Sequence, residues 1–488
     1  MRPLEILAVA LLAVSALLAS GKGRVWLARL ILAAAVCTLA LHAWLEGPHW
    51  QMGPAYLGVP LLAVALWVRG TLARRLLAGA TLLSLAAAIA LCSMMPMFKL
   101  PRPTGSYPVA TTIFQLTDPS RVEDAVHDGS KREIVAQAWY PAKEASGKRA
   151  PYRRWAETTA VSSYEYFIPT HARLNGEVAT SGTPFPVLLF EPAAYGRRSE
   201  YVYLLEELAS LGYVVFAIDH PYNNGPVELA SGKVVQTPPA TLVDNLGSVG
   251  VEGFYQRIQP EIEKQTADTL FLLDILTRWN AEPSSIFYRK LDLNRVGALG
   301  HSLGGSVAAE VAARDPQIRA VFDMSGPLFG QARKEGVTAP FFFLTEHVPL
   351  PGESDLARMN LDDRVGSEIN ITYMKEVAAM IARSGGYYAE LPTENHSIFT
   401  DRGLYSPFVR FAGEDPAVTR RMHTVITQYA VAFFQQTLEN RPSPLLTEDP
   451  SPFPGVIFRP PAPAHSAPPP ESSAPSHRDP PKRPLTSP

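Results

Sequence analysis

The pentapeptide GHSLG at residues 300–304 places Ser302 between two glycines, each separated from the serine by one residue. An apolar segment, RVGAL, leads into this motif, and a segment with helical character, GGSVAAEVAAR, follows it. A sharp strand-to-helix turn of this kind exposes a serine hydroxyl as a nucleophile, and it needs small residues because neighbouring backbone passes close by. The spacing also occurs in simple turns, and charged residues on both sides argue against a membrane helix. We therefore predict that Ser302 is a nucleophile.

A serine nucleophile needs a histidine base and an acid that orients it, and after such a turn the chain order is serine, acid, histidine. Three histidines follow the motif within the same predicted domain: His347, His396 and His423. His347 directly follows a predicted strand and is interpreted as a loop or capping residue, and His423 as a helix-surface residue. His396, in ELPTENHSIFTD, lies between the last predicted strand and the final helix. We expect the base there.

Two carboxylates compete for the role of the acid. Asp323 ends the predicted strand RAVFDMS, and Glu346 ends the next one, APFFFLTE. Both are expected at the carboxyl edge of a parallel sheet, where ligands bind. Many enzymes with this kind of serine turn take the acid after the later strand, which favours Glu346. The residues by themselves leave the choice open.

The tetrahedral intermediate of acyl transfer needs two N–H groups aimed at its oxyanion. The main chain of Leu303, directly after the nucleophile, is expected to supply one of them. The other is expected from the loop after the predicted strand PVLLF, which reads EPAAYG at residues 191–196.

The elements that position these residues follow from the alternation of apolar runs and amphipathic segments. After two early strands, ATTIFQLTD and REIVAQAWYPA, the runs PVLLF, YVVFAID, RVGAL, RAVFDMS, APFFFLTE and GYYAELP alternate with predicted helices. Uninterrupted apolar strands between helices are typical of a parallel sheet that is covered on both faces. The sequence therefore predicts an α/β domain over 109–440 with a mostly parallel, doubly wound sheet.

The first hundred residues predict an all-α transmembrane region over 1–98. Four apolar runs, at 4–20, 25–45, 55–68 and 76–98, are separated by short polar segments, and residues 99–108 form a linker. A hydrocarbon core needs about 20 apolar residues per helix, so the second and fourth runs are long enough and the other two are short. The first run is also compatible with a signal peptide.

Arginine and lysine predict the orientation, because cytoplasmic loops are enriched in them. With the N-terminus outside, the cytoplasmic loops contain Lys22, Arg24, Arg69, Arg74 and Arg75. Four spans then place the catalytic domain outside the cytoplasm. If the first run were cleaved, the domain would instead face the cytoplasm.

The remaining composition mainly excludes other classes. The formal net charge of −2 gives no indication of a nucleic-acid partner. Both cysteines, Cys37 and Cys92, lie in the apolar N-terminal runs, so no cysteine metal site is expected. Residues 441–488 are rich in proline and poor in large apolar side chains, which predicts a disordered tail.

Four segments resemble the platelet-activating factor acetylhydrolase family of the α/β-hydrolase superfamily, over roughly residues 105–440. They are PVLLFEPAAYGRRSEYVYLLEELASLGYVVFAIDHPYN, RVGALGHSLGGSVAAE, AVFDMSGP and ENHSIFTD. The resemblance implies an α/β-hydrolase fold with Ser302 as nucleophile, Asp323 as acid and His396 as base, so it favours Asp323 over Glu346. It also implies that Ala194 carries the second oxyanion N–H.

The sequence departs from the family in the loop that carries this donor, where Ala193 stands in place of a glycine. The multi-span N-terminus and the proline-rich tail also lie outside the family's core. Similarity of this kind extends to dienelactone-hydrolase-like and cutinase-like esterases. Fold and triad therefore transfer better than the substrate does.

The apolar N-terminal runs predict a membrane anchor, and the resemblance implies a serine carboxylic ester hydrolase that acts on short-chain acyl esters, including phospholipids. The alternatives are a general carboxylesterase of the dienelactone-hydrolase or cutinase-like type, and a non-catalytic membrane-bound binding protein with the same fold. No metal or organic cofactor is expected for this chemistry. The expected partners are the ester or phospholipid and the lipid bilayer, and the oligomeric state stays open.

Overall fold

The computed structural model describes residues 1–21, 25–236, 244–405, 415–447 and 450–461. Lys22 and Arg24, on which part of the predicted orientation depends, lie outside the described residues, as does the predicted tail beyond residue 461.

Four antiparallel helices begin the chain: α1 Pro3–Ser20, α2 Val25–Leu45, α3 Gly53–Trp67 and α4 Thr71–Met94. Of these, α1, α2 and α4 are long and apolar enough to cross a membrane. The predicted run at 55–68 is helical, but the 15 residues of α3 extend only about 22 Å, less than a hydrocarbon core of about 30 Å. The fourth helix starts earlier than the predicted residue 76 and includes Arg74 and Arg75 in its first turns.

The interior of this bundle is made mostly of small side chains. Ala8, Ala16 and Ala28 are completely buried, and the Ser15 hydroxyl in α1 donates a hydrogen bond to the Ala28 carbonyl in α2 at 2.7 Å. Small residues and hydroxyls allow apolar helices to approach closely without a solvent-driven hydrophobic effect.

Eleven strands form one sheet within the described residues, and two short strands form a separate hairpin. The strand bounds are β1 Val109–Val122, β2 Lys131–Pro141, β3 Arg149–Pro151, β4 Pro169–Leu174, β5 Phe185–Glu191, β6 Val214–Asp219, β7 Val227–Glu228, β8 Val234–Val235, β9 Leu291–His301, β10 Ile318–Met324, β11 Phe341–Glu346, β12 Gly386–Leu391 and β13 Ile457–Arg459. The large sheet has the order β13-β12-β11-β10-β9-β5-β6-β2-β1-β4-β3. The six central strands of this sheet, β12, β11, β10, β9, β5 and β6, run parallel, whereas β2 is antiparallel to both β1 and β6.

Helices cover both faces of this sheet, as the continuous apolar strands predict. Their bounds are α5 Val202–Ser210, α6 Leu246–Ala281, α7 Leu303–Arg314, α8 Gly330–Glu335, α9 Glu353–Leu356, α10 Leu361–Ser384 and α11 Pro416–Glu439. One core lies under α5 and α11, where Leu208 and Phe434 are buried. The other lies under α6, α7 and α10, where Leu276 and Val307 are buried. The domain is therefore a doubly wound α/β structure.

The C-terminal boundary differs from the prediction. The expected disordered segment began at residue 441, but β13 pairs antiparallel with β12, and the buried ring of Phe458 stacks on Tyr429 at 5.3 Å. The buried side chain of Phe458, the last residue of PFPGVIF, anchors this segment to the domain despite its prolines. The ordered domain therefore extends beyond residue 440.

The predicted linker 99–108 is held against the α/β domain. Phe98 and Leu100 are buried in its core, and the Phe98 ring packs edge-on against Tyr152 at 5.0 Å. The Thr104 amide donates to a carboxylate oxygen of Glu207 in α5 at 2.7 Å. The connection between the helical bundle and the α/β domain is therefore anchored at several points.

Candidate active site

Ser302 lies in the turn between β9 and α7 with φ 56° and ψ −123°. Residues other than glycine rarely adopt a positive φ, so the surrounding structure must hold the Ser302 backbone in this conformation. The Ser302 amide donates to the Met324 carbonyl of β10 at 2.8 Å. A Cβ atom at Gly300 would lie 2.2 Å from the Gly304 carbonyl oxygen, and one at Gly304 would lie 2.2 Å from that of Glu191. Both glycines of the motif are thus required by close backbone contacts.

His396 follows β12 and begins a short 3-10 turn, His396–Phe399. Its Nδ1 lies 2.8 Å from Oε1 of Glu346, the last residue of β11, and about half of the imidazole is exposed. Burial by itself would raise the pKa of the Glu346 carboxyl, but the hydrogen bond and charge of His396 hold it below its usual value. The pair therefore has the geometry of a base and its orienting acid.

Asp323, which the family resemblance favours as the acid, makes a different contact. Its Oδ1 accepts a hydrogen bond from the Gly326 amide at 2.8 Å, and this oxygen would lie 2.0 Å from a Cβ at Gly305. The side chain is completely buried, and burial raises the pKa of this carboxyl well above its usual value despite the Gly326 hydrogen bond. The expectation is corrected accordingly: of the two candidates, Glu346 and not Asp323 bonds to His396.

The other two candidate histidines have different partners. His347 is exposed and its Nδ1 contacts Glu390 at 2.7 Å. His423, which was expected at a helix surface, is buried: its ring stacks on Tyr203 at 3.6 Å, and its Nε2 lies 3.0 Å from the Thr400 carbonyl. Burial lowers the pKa of His423 to about 3, so the neutral ring is a core residue.

The predicted oxyanion loop, 191–196, runs beside the strand-to-helix turn at residues 300–304, called the elbow from here on. The Ala193 amide donates to the Tyr201 hydroxyl at 3.1 Å and is thus already bonded. The Ala194 amide forms no hydrogen bond to another described residue, and Leu303 is the first residue of α7, where an N–H lacks a helical partner. Of the two alanines, Ala194 therefore has the amide that remains available for a ligand.

His301 is a site residue that sequence reasoning treated only as a variable position of the motif. Its buried ring lies 4.6 Å from the ring of His396, and its Nδ1 is 3.0 Å from the Tyr201 hydroxyl. Burial is the main cause that lowers the pKa of His301 well below its usual value, and the nearby His396 is the second cause. The ring is therefore neutral. Because His301 precedes Ser302, this contact brings the His396 loop to the elbow.

A buried ionic network holds the start of the oxyanion loop. His220, after β6, contacts Oε2 of Glu191 and Oδ2 of Asp268, each at 2.8 Å. Arg132 from β2 donates to both oxygens of Asp268, at 3.1 and 2.6 Å. Burial by itself would lower the pKa of His220, but its hydrogen bonds to the two carboxylates raise it to about 9. Sequence reasoning missed this network, although Glu191 and His220 both stand at strand ends.

No protein-family model matches the sequence. Over 280 residues the chain is 24% identical to a protein of Arthroderma benhamiae described as a probable 1-alkyl-2-acetylglycerophosphocholine esterase. That match covers 53% of this chain and 66% of the relative. A solved structure of a ferulic acid esterase from Streptomyces cinnamoneus superposes with a TM-score of 0.55 and 24% identity, over 74% of this chain and 98% of the esterase. The α/β domain thus shares its fold with a known esterase.

Proposed function

We propose that this protein is a serine carboxylic ester hydrolase with Ser302 as nucleophile, His396 as base and Glu346 as acid. The observation that carries the proposal is the positive-φ serine at the end of β9, next to a histidine loop whose imidazole is held by a carboxylate at 2.8 Å. The fold shared with an esterase and the description of the Arthroderma relative point to the same reaction class.

In the proposed reaction, the Ser302 hydroxyl attacks the ester carbonyl, and Nε2 of His396 takes its proton, since Nδ1 faces Glu346. The N–H groups of Leu303 and Ala194 stabilise the oxyanion of the tetrahedral intermediate. The alcohol leaves with the proton from His396, and an acyl-enzyme remains on Ser302. Water, deprotonated by His396, then releases the carboxylic acid and regenerates the hydroxyl.

We further propose that the four N-terminal helices anchor the enzyme in a membrane. Three of them have the necessary length and hydropathy, and Trp26, Trp44 and Trp67 at helix ends project outward, as aromatic residues do at membrane interfaces. We include the short α3 in this membrane anchor because it packs antiparallel between long helices. Arg29, near the start of α2, donates a hydrogen bond to the Leu66 carbonyl near the end of α3 at 2.8 Å.

The α/β domain is proposed to rest on the membrane surface at one end of this bundle. The Trp50 indole, between α2 and α3, donates to the Val161 carbonyl at 2.9 Å, and the side chains of Trp155 and Val161 are largely exposed there. Together with the anchored linker, this contact limits the domain to the interfacial layer. The proposed substrates are short-chain acyl esters, including those on membrane phospholipids, because anchoring raises their effective concentration.

A fluorophosphonate probe tests the nucleophile. It should label the full-length protein, and Ser302→Ala should abolish labelling, whereas the matched variant Ser306→Ala, one helical turn later, should keep it. Equal labelling of the Ser302→Ala variant would move the nucleophile elsewhere. Absence of both labelling and ester hydrolysis in a folded wild-type protein would favour the non-catalytic alternative.

The lipid specificity is tested separately with vesicles that contain a phospholipid with a short acyl chain. We expect release of that acyl chain by the wild-type protein and none by Ser302→Ala. If the protein cleaves soluble short esters but leaves the phospholipid intact, the lipid proposal fails and the general carboxylesterase alternative, of the dienelactone-hydrolase or cutinase-like type, stands.

A further inference from the structure

A buried polar cluster lies where the helical bundle meets the α/β domain. One ligating atom each from Glu5, His42 and His49 lie within 4.8 Å of one another, and all three side chains are buried. They come from the first turn of α1, the last turn of α2 and the connection between α2 and α3. Ionisable groups are costly to bury among apolar helices, and they commonly mark a functional site there.

The two histidines are oriented in the same way. Nδ1 of His42 lies 3.0 Å from a carboxylate oxygen of Glu46, and Nδ1 of His49 lies 2.9 Å from the side-chain oxygen of Gln51. The Gln51 amide nitrogen donates to the Met95 carbonyl at 3.3 Å, which turns the side-chain oxygen toward His49. Each Nδ1 therefore faces an acceptor oxygen outside the cluster, which leaves the Nε2 atom of each ring directed into it.

Each Nε2 atom faces an atom that is suited to metal coordination. Nε2 of His49 lies 3.1 Å from Oε1 of Glu5, and Nε2 of His42 lies 2.9 Å from the Tyr56 hydroxyl. In protein metal sites, a ligating histidine almost always donates its other N–H to a carboxylate or carbonyl oxygen, and the Nδ1 atom of each ring lies next to such an oxygen here. Two imidazole nitrogens and one carboxylate oxygen form a ligand set typical of zinc with one open position.

We propose that Glu5, His42 and His49 bind a Zn²⁺ ion, with the Tyr56 hydroxyl or a water molecule as fourth ligand. The ion would cross-link three segments at the end of the bundle that supports the catalytic domain. Arg2 also contacts the Glu5 carboxylate and lies 3.6 Å from that of Glu46. Its guanidinium neutralises these groups without a metal, so a metal-free hydrogen-bonded network is the competing outcome. The proposal does not depend on the esterase assignment.

The test measures zinc bound by the full-length protein in detergent micelles. After removal of metal with a chelator and reloading with Zn²⁺, elemental analysis should give about one zinc per chain, and cobalt in its place should produce visible absorption bands of a four-coordinate site. Zinc should also raise the thermal unfolding midpoint. Zinc bound at well below one equivalent, with no effect on unfolding, would overturn the proposal in favour of the metal-free network.

Variants locate the site. His49→Gln should abolish stoichiometric binding, and Glu46→Gln, which alters the hydrogen-bond partner of His42 and removes a negative charge near Arg2, should weaken it about 10- to 100-fold. His347→Gln is the matched control, because His347 forms a similar pair with Glu390 at the protein surface without a second histidine. Zinc binding that persists in His49→Gln, or that disappears in His347→Gln, would refute the assignment. If a bundle variant fails to fold, the wild-type zinc measurement still decides the question.

Discussion

Replacing Glu346 by glutamine should lower kcat by roughly two to four orders of magnitude with little change in KM. Glu346 lies 2.8 Å from Nδ1 of His396, so the charge centres of the carboxylate and an imidazolium are about 4 Å apart. At an effective dielectric constant of about 20, their attraction is about 4 kcal/mol, equivalent to about a thousandfold in rate. Water at the half-exposed His396 ring reduces this value, and an imidazole left in the wrong tautomer adds to the loss.

Asp323→Asn is the matched comparison, because it makes the same chemical change at the end of the neighbouring strand. The Asp323 carboxyl is buried, its pKa is raised by that burial, and it contacts the Gly326 amide instead of His396. Asparagine resembles the uncharged acid, so we expect kcat to stay within about tenfold of the wild-type value.

The assay is hydrolysis of a soluble short-chain p-nitrophenyl ester by the detergent-solubilised full-length protein. Thermal unfolding of each variant is measured in parallel, so that loss of activity can be separated from loss of fold. A folded Glu346→Gln enzyme with near wild-type kcat, together with an inactive but folded Asp323→Asn enzyme, would refute the assignment of the acid.

Two further predictions concern the surroundings of the site, and a third concerns the membrane orientation. Tyr201→Phe removes the hydroxyl that joins the oxyanion-loop amide to the His301 ring, and it should lower kcat about 10- to 100-fold, whereas Tyr213→Phe, which removes a buried hydroxyl elsewhere, should change stability only. Equal kinetic effects in both variants would contradict a positioning role for Tyr201. The pKa of His220 is about 9 in the folded protein and about 6.5 in the unfolded chain, so its protonation stabilises the fold fully below about pH 6.5. Up to about 3 kcal/mol of the free energy of unfolding should be lost as the pH rises through 9. Urea unfolding of the full chain at several pH values should show this loss, and His220→Gln should remove it; a flat wild-type profile would contradict it. Finally, a reporter that is active only outside the cytoplasm, fused after residue 461, should be active, and activity of a cytoplasm-specific reporter there would contradict the orientation predicted from the arginine and lysine residues.

The sequence by itself determined the features that depend on neighbouring residues. The elbow could be predicted because each glycine of GHSLG meets a local steric demand, as the 2.2 Å approach to Gly300 shows. The strands could be predicted because a buried parallel strand is a short continuous apolar run, and YVVFAID corresponds to Val214–Asp219 in β6. His396 could be chosen over the other histidines from its place between the last parallel strand and the final helix.

Only the tertiary structure decided which distant groups meet. Asp323 and Glu346 both end parallel strands, and the side chain that reaches His396 depends on the loops: the turn after β10 directs an amide at Asp323, whereas Glu346 points toward the loop after β12. The cluster of Glu5, His42 and His49 could not be predicted from the sequence for the same reason, since its members are separated by up to 44 residues in apolar sequence. The periodicity of apolar residues predicts whether a residue is buried. The partner of a buried polar group depends instead on how helices and strands pack, and this packing is determined by residues throughout the chain.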